Sequence, residues 1–370
     1  MRQEEKIKFI TFLSKGLGFC LGLLVIFEIY EGNWWKDHRF NDLVLKRNAN
    51  QFSSINYCPG CPTVRVHYQT DGYGFRGKTN RYDDVDILTL GASTTVQDDL
   101  NEEDTWQKYI EEYFSDKFKM SLKILNAGVD AQSSVGHINN FKLWFPLVPG
   151  LKAKYVLVYL CSDEVFKPEL EQDYSNKMDE MKADSVSFAH YVAMNSATYF
   201  IARGLVGTWI NYFRFGVGRT KVDFDSVTWI EYPLQKNHER IFQPMLLAYQ
   251  KRLKVLSQKI KTFGAIPIFV NSREGYYQFF EGRWKASDKI HEVNHVQYNG
   301  MDRFLLARET TKITRQVSID EGILFINLLE STDFTARDFH DFYHNNPSGA
   351  LKVGRGIAEG ITPVILQNRR

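Results

Sequence analysis

The chain of 370 residues has no surplus of charge of either sign: 46 Lys and Arg stand against 44 Asp and Glu, for a net charge of +2. A polyanion-binding surface would show as a basic excess, so nucleic acid is set aside as the main partner. Cysteine is scarce, with four in all, too few for a disulfide scaffold. Low-complexity tracts and internal repeats are missing too, which removes linker-like and solenoid architectures. What remains is a chain of about one to two domains with ample apolar material for a core.

Long apolar runs are equally scarce, and the one candidate lies at the N-terminus. Residues 9–30, FITFLSKGLGFCLGLLVIFEIY, would as a helix extend about 33 Å, enough to cross a bilayer. Lys15 and Glu28 cut the uncharged stretch to residues 16–27, a length that also suits a signal-peptide core or a buried helix. No small-residue cleavage site follows, and Trp34 and Trp35 stand where interfacial aromatics would. The reading taken is an uncleaved transmembrane anchor. Arg2, Lys6, Lys8 and Lys15 precede or enter it and favour a cytoplasmic N-terminus, with the rest of the chain outside the cytoplasm.

Beyond an irregular lead-in over residues 34–80, short runs rich in Val, Ile and Leu recur: VDILTL (85–90), LKILN (122–126), YVLVYL (155–160), IPIFV (266–270) and ILFIN (323–327). Such runs read as strands buried on both faces. Amphipathic helices stand between them. DTWQKYIEEYFSDKF carries Trp106, Tyr109, Ile110, Tyr113, Phe114 and Phe118 at helical spacing, a stripe read simply as core. A second helix spans 246–264, and a last one ends near Gly360. The alternation predicts an α/β fold with a parallel sheet and helices on both faces. Residues 165–240 break the rhythm and are read as an inserted helical cap.

Two short stretches carry chemistry. LTLGASTTV (88–96) puts Ser93 on a strand-to-helix turn at the carboxyl end of the first strand of the series, where open parallel sheets bind ligands. A serine hydroxyl is inert at its own pKa and needs a histidine base held by a carboxylate. DFYHNNPSG offers Asp341 and, three residues on, His344. Taken alone, D-x-x-H is a weak signal.

In this order, GAST, NAG and D-x-x-H resemble the blocks of the SGNH subgroup of GDSL-type esterases and lipases, and DGYGFRG (71–77) is similar to the lead-in of membrane-anchored bacterial members. The resemblance covers about residues 65–365. It implies a three-layer α/β/α sandwich of flavodoxin-like topology, with Ser93, His344 and Asp341 as catalytic triad and an oxyanion hole from the N–H groups of Ser93 and Gly128. The third block departs from the family's G-x-N-D: Leu160 stands for Gly and Ser162 for the oxyanion-binding Asn, with Asp163 retained. Ser162 is the remaining candidate donor, and loss of one such donor costs about 3 kcal/mol in the transition state.

Other motifs compete. HEVNH (291–295) matches a zinc-peptidase pattern that needs a helix, but it sits between turn-like segments and lacks a third ligand. No metal or cofactor is expected. Cys58 and Cys61 of CPGC are open to a redox pair, half a zinc site, a disulfide or two free thiols; CPTVRVHY runs on as a strand, which speaks against a redox motif opening a helix. Cys161 is expected to be buried beside the third strand, and His340 is expected as a surface loop residue.

These readings give three parts: residues 1–33 as cytoplasmic tip and anchor, 34–80 as lead-in, and 81–370 as the hydrolase domain with its insertion at about 165–240. The expected activity is hydrolysis of O-acyl, above all O-acetyl, esters on cell-surface polysaccharide or lipid, at a bacterial inner membrane facing the periplasm. An O-acyltransferase using the same triad, and a binding or assembly protein on a weakened fold, are the alternatives. Protein partners are not legible.

Overall fold

The computed structural model describes residues 3–32, 34, 43, 45–77, 79, 81–166, 196–199, 201–202, 221–293 and 296–367. The chain divides into two compact units, one of Met1–Asp42 with Met178–Gly218 and one of Leu43–Lys177 with Arg219–Arg370. Most of the expected helical insertion lies outside the described residues.

In the first unit, α1 (Gln3–Glu31) takes up the segment read as a membrane anchor. Among the described residues, however, no helix is long and apolar enough to cross a membrane, so the expected transmembrane helix is not supported. Glu28 is a local acceptor, taking hydrogen bonds from the Trp34 indole, the Ser196 hydroxyl and the backbone N–H groups of Ala197 and Thr198.

The second unit opens with an antiparallel hairpin of β1 (Asn50–Ile55) and β2 (Val64–Gln69), where the sequence reads as an irregular lead-in. β1 is mostly polar and is exposed up to Ile55, so it carries no alternation to betray a strand. CPGC forms the hairpin tip, and Cys58 and Cys61 are joined as a disulfide. The chain then alternates: β3 (Val85–Gly91), α2 (Ser93–Val96), α3 (Trp106–Phe118), β4 (Ile124–Gly128), α4 (Ser134–Leu143) and β5 (Ala153–Leu160). Late in the expected insertion comes β6 (Trp229–Ile230), and from its end onward follow α5 (His238–Phe263), β7 (Ile266–Asn271), β8 (Tyr277–Phe280), β9 (Arg283–Ser287), β10 (His291–Val293) and β11 (Val296–Tyr298). The chain closes with α6 (Gly300–Glu321), β12 (Leu324–Asn327), α7 (Leu328–Ser331) and α8 (Pro347–Gln367). Thus α8 runs past Gly360, the predicted end, and accommodates Pro363.

All five predicted strands join one parallel sheet in the order β12-β7-β5-β3-β4. Both of its faces are apolar. One packs Ile87, Leu157, Tyr159, Ile268 and Val270 with Trp106, Ile110 and Phe114 of α3 and Val353, Ile357 and Ile361 of α8. The aromatic stripe of α3 is therefore core, as expected. Leu88, Leu90, Val156, Val158 and Phe269 are the equally buried alternate residues, as a sheet covered on both sides requires. α4 packs on α5, and α5 on α6. The strand order reverses at β3, which has β4 on one side and β5 on the other. In such sheets the crevice at the reversal is where ligands bind, and Ser93 follows directly from β3.

Candidate active site

Gly91 ends β3 because α2 folds back on it: a Cβ there would lie 2.0 Å from Thr95 Oγ1 and 3.1 Å from the Tyr159 carbonyl oxygen. Four residues are too few for α2 to hold itself together. Its carbonyls are instead taken by side chains from three directions. The Trp106 indole donates to Thr94, Gln107 and Asn126 both donate to Thr95, and the buried Arg76 guanidinium donates to Val96, Gln97 and Leu100. Arg76, from the DGYGFRG segment, also pairs with Glu102 at 3.0 Å. Its cation sits where the orphan carbonyls of a helix end favour one. The result is a fixed pedestal for Ser93.

The loop before α8 brings the histidine to it. His344 Nε2 lies 2.8 Å from Ser93 Oγ, and Nδ1 lies 2.7 Å from Asp341 Oδ2. Asp341 Oδ1 accepts the backbone N–H groups of Tyr343 and His344, each at 2.7 Å. The sequence separation of Ser93 and His344 is 251 residues, so only the fold creates this contact. Burial alone would raise the Asp341 pKa. The hydrogen bond and charge of His344, the nearby His340 and the His344 backbone N–H outweigh it and hold the carboxyl at about 2. The carboxylate is therefore ionised at neutral pH, as a group that fixes an imidazole tautomer must be.

The two other expected oxyanion donors are engaged elsewhere. Gly128 N–H donates to Asn126 Oδ1 at 2.9 Å, and Asn126 Nδ2 in turn donates to Thr95 O. Gly128 is the point where β4 meets α2: a Cβ would lie 2.5 Å from Val96 N and 2.9 Å from Thr95 C. Since both obstacles are backbone, Gly128→Ala is expected to cost about 1–3 kcal/mol of stability, as overpacking does, and thermal unfolding of the variant checks it. Ser162 is buried, and its hydroxyl donates to Glu274 Oε1. Glu274 is itself paired with the buried Arg303 at 3.1 Å. Ser162→Ala should then slow hydrolysis by less than about fivefold, whereas removing a true oxyanion donor costs about 10²–10³. Steady-state rates of the variant decide between these two roles.

Several participants were not legible. Past β4, Val129 N–H donates to Gly91 O and Gln132 N–H to Val129 O. This turn holds the exposed Ala131 at φ 58°, a left-handed backbone without a glycine. Strain of that kind collects at functional sites, and an unexpected φ leaves no mark in composition. His340, expected on the surface, is 1% exposed, and Cys161, expected to be buried, is partly exposed. Of HEVNH, His291–Val293 is a strand paired with β11, and residues 294–295 lie outside the described residues. The geometry of a helical zinc motif is thus not formed. An open cleft of about 390 Å³ lies nearby, lined by Gln51, Phe52, Ser53, Tyr68, Asp98 and Asp99.

No family model matches the sequence, and no curated protein does. Among solved structures, the chain is similar to TesA, at 11% identity and a TM-score of 0.39 over 75% of this chain and 98% of that one. It is also similar to the psychrotrophic esterase EstA from Pseudoalteromonas sp., at 13% identity and a TM-score of 0.38 over 76% and 99%. A third is Est24, a carbohydrate acetylesterase from Sinorhizobium meliloti, at 12% identity and a TM-score of 0.39 over 76% and 100%.

Proposed function

We propose that this chain is a serine esterase of the SGNH type that removes O-acetyl groups from a carbohydrate. The observation that carries the reading is the hydrogen-bonded series Ser93, His344, Asp341 at the carboxyl end of β3. In the reaction His344 Nε2 takes the Ser93 proton as Oγ attacks the ester carbonyl. Asp341 holds Nδ1–H and stabilises the imidazolium. His344 then protonates the departing sugar oxygen, leaving an acetyl-Ser93 ester that water, activated by the same histidine, hydrolyses.

The Ser93 N–H, at the start of α2 where no turn precedes it, is one oxyanion donor. The cleft beside Asp99 supports a hydrophilic substrate over a lipid, since Gln51, Ser53, Asp98 and Asp99 contribute polar groups to its wall. The Cys58–Cys61 disulfide supports a working place outside the cytoplasm, where disulfides persist.

The test compares full-length protein on p-nitrophenyl acetate, on longer-chain p-nitrophenyl esters and on an acetylated xylan. Faster release from the acetyl substrates supports the reading, and preference for long acyl chains would redirect it to lipid. Adding a free sugar as acceptor separates hydrolysis from acyl transfer by the same residues.

A further inference from the structure

The loop after α2 and the loop before α8 meet at His340, and the mechanism leaves this histidine unused. It is almost wholly enclosed, and neither ring nitrogen makes a hydrogen bond. Such a group is rare, because buried polar atoms are nearly always paired. Its Nε2 nevertheless lies 3.2 Å from Asp99 Oδ2 and 3.9 Å from Asp341 Oδ2. The His344 imidazole is stacked on it, with 5.7 Å between centroids and 19° between planes. One donor atom from each of Asp99, His340 and His344 lies within 4.8 Å of the other two.

We propose that Asp99, His340 and His344 form an inhibitory site for a divalent transition-metal ion of the zinc class. Two imidazoles and a carboxylate suit such an ion and not Mg²⁺ or Ca²⁺, which prefer all-oxygen shells. With Nδ1 of His344 held by Asp341, the lone pair left for a metal is on Nε2. That is the atom bonded to Ser93 Oγ. Metal occupancy and activation of Ser93 therefore exclude each other. Asp341 would orient the liganding His344, as carboxylates behind metal-bound histidines do. The donors need to draw together, since Zn–N and Zn–O bonds of roughly 2.0–2.2 Å set them closer than 4.8 Å apart. Asp99 also lines the open cleft, which gives the ion a way in. Binding itself is independent of the esterase reading, whereas the inhibitory consequence rests on it.

Two readouts on the full-length protein separate these. Titration with Co²⁺ is expected to develop the visible absorption bands of a low-symmetry site at one ion per chain. Zn²⁺ is expected to suppress p-nitrophenyl acetate hydrolysis at least tenfold, with recovery on adding a chelator. Both effects should need about tenfold or more metal in Asp99→Ala and in His340→Gln, as loss of a ligand or its support requires. Asp99→Ala guards against a folding defect from altering the enclosed His340. Absence of the Co²⁺ bands overturns the site even if the protein proves inactive on esters. Inhibition of equal strength in both variants, or activation by the metal, overturns it as well.

Discussion

Ser93→Ala is expected to lower the kcat for p-nitrophenyl acetate by about 10⁶, the loss seen when a triad serine is removed, leaving a residual rate from binding and the oxyanion donors. The expectation follows from a single oxygen. Ser93 Oγ is the atom bonded to His344 Nε2, and no hydroxyl at another position shares that contact among the described residues. The variant should fold as the parent does, because Ser93 is only half-buried and α2 is held through the carbonyls of residues 94–97 and not through this side chain. Circular dichroism and thermal unfolding on the same preparation check that point. A fall in kcat with an unchanged melting temperature is the expected pair of results.

Asp341→Asn is expected to cost about 10⁴ in kcat at neutral pH, the effect of replacing a triad aspartate by its amide, which leaves the imidazole in the wrong tautomer. The same substitution has a stability signature. The Asp341 carboxyl is held at about 2, below its ordinary 3.8. A depressed carboxylate contributes stability that is fully present above the unfolded value and is lost as pH falls through the folded one. The shift corresponds to roughly 2 kcal/mol. Wild type and Asp341→Asn should therefore differ in chemical denaturation at about pH 5, where the neighbouring histidines are charged, and the gap should close between about pH 4 and pH 2. A gap that stays level through that window would place the carboxylate's stabilising partners elsewhere.

Much of this architecture was legible because it is repetitive. Each of the five sheet strands contains a short Val, Ile or Leu run, four of them ended by Gly or Asn, and burial on both faces removes the polar alternation of a half-exposed strand. Ser93 was legible for a different reason, since strand ends mark where a parallel sheet exposes side chains, whereas Asp341 and His344 were marked only by the resemblance that D-x-x-H carries. The order of the strands was implied only by the resemblance to a flavodoxin-like fold, because pairing depends on crossovers rather than on local pattern. The β1–β2 hairpin was not legible, since its first strand is mostly polar and exposed. The surroundings of the expected oxyanion donors were not legible either. Nothing in NAG indicates that Asn126 takes the Gly128 N–H, and nothing in YLCSDEV indicates that Glu274, over a hundred residues on, takes the Ser162 hydroxyl. His340 illustrates the same limit: its neighbours Tyr57 and Asp99 come from remote segments, so its burial is a tertiary fact. The anchor reading finds no support, since among the described residues no helix is long and apolar enough to cross a membrane.

The measurement that bears most directly on the account is peptide mapping of full-length protein after reaction with a fluorophosphonate. Such reagents phosphonylate a serine only when a neighbouring base activates it. One adduct per chain, on Ser93, abolished in His344→Ala, is the result predicted. An unmodified Ser93, or an adduct on Ser93 that survives loss of His344, would contradict a Ser93–His344–Asp341 catalytic site.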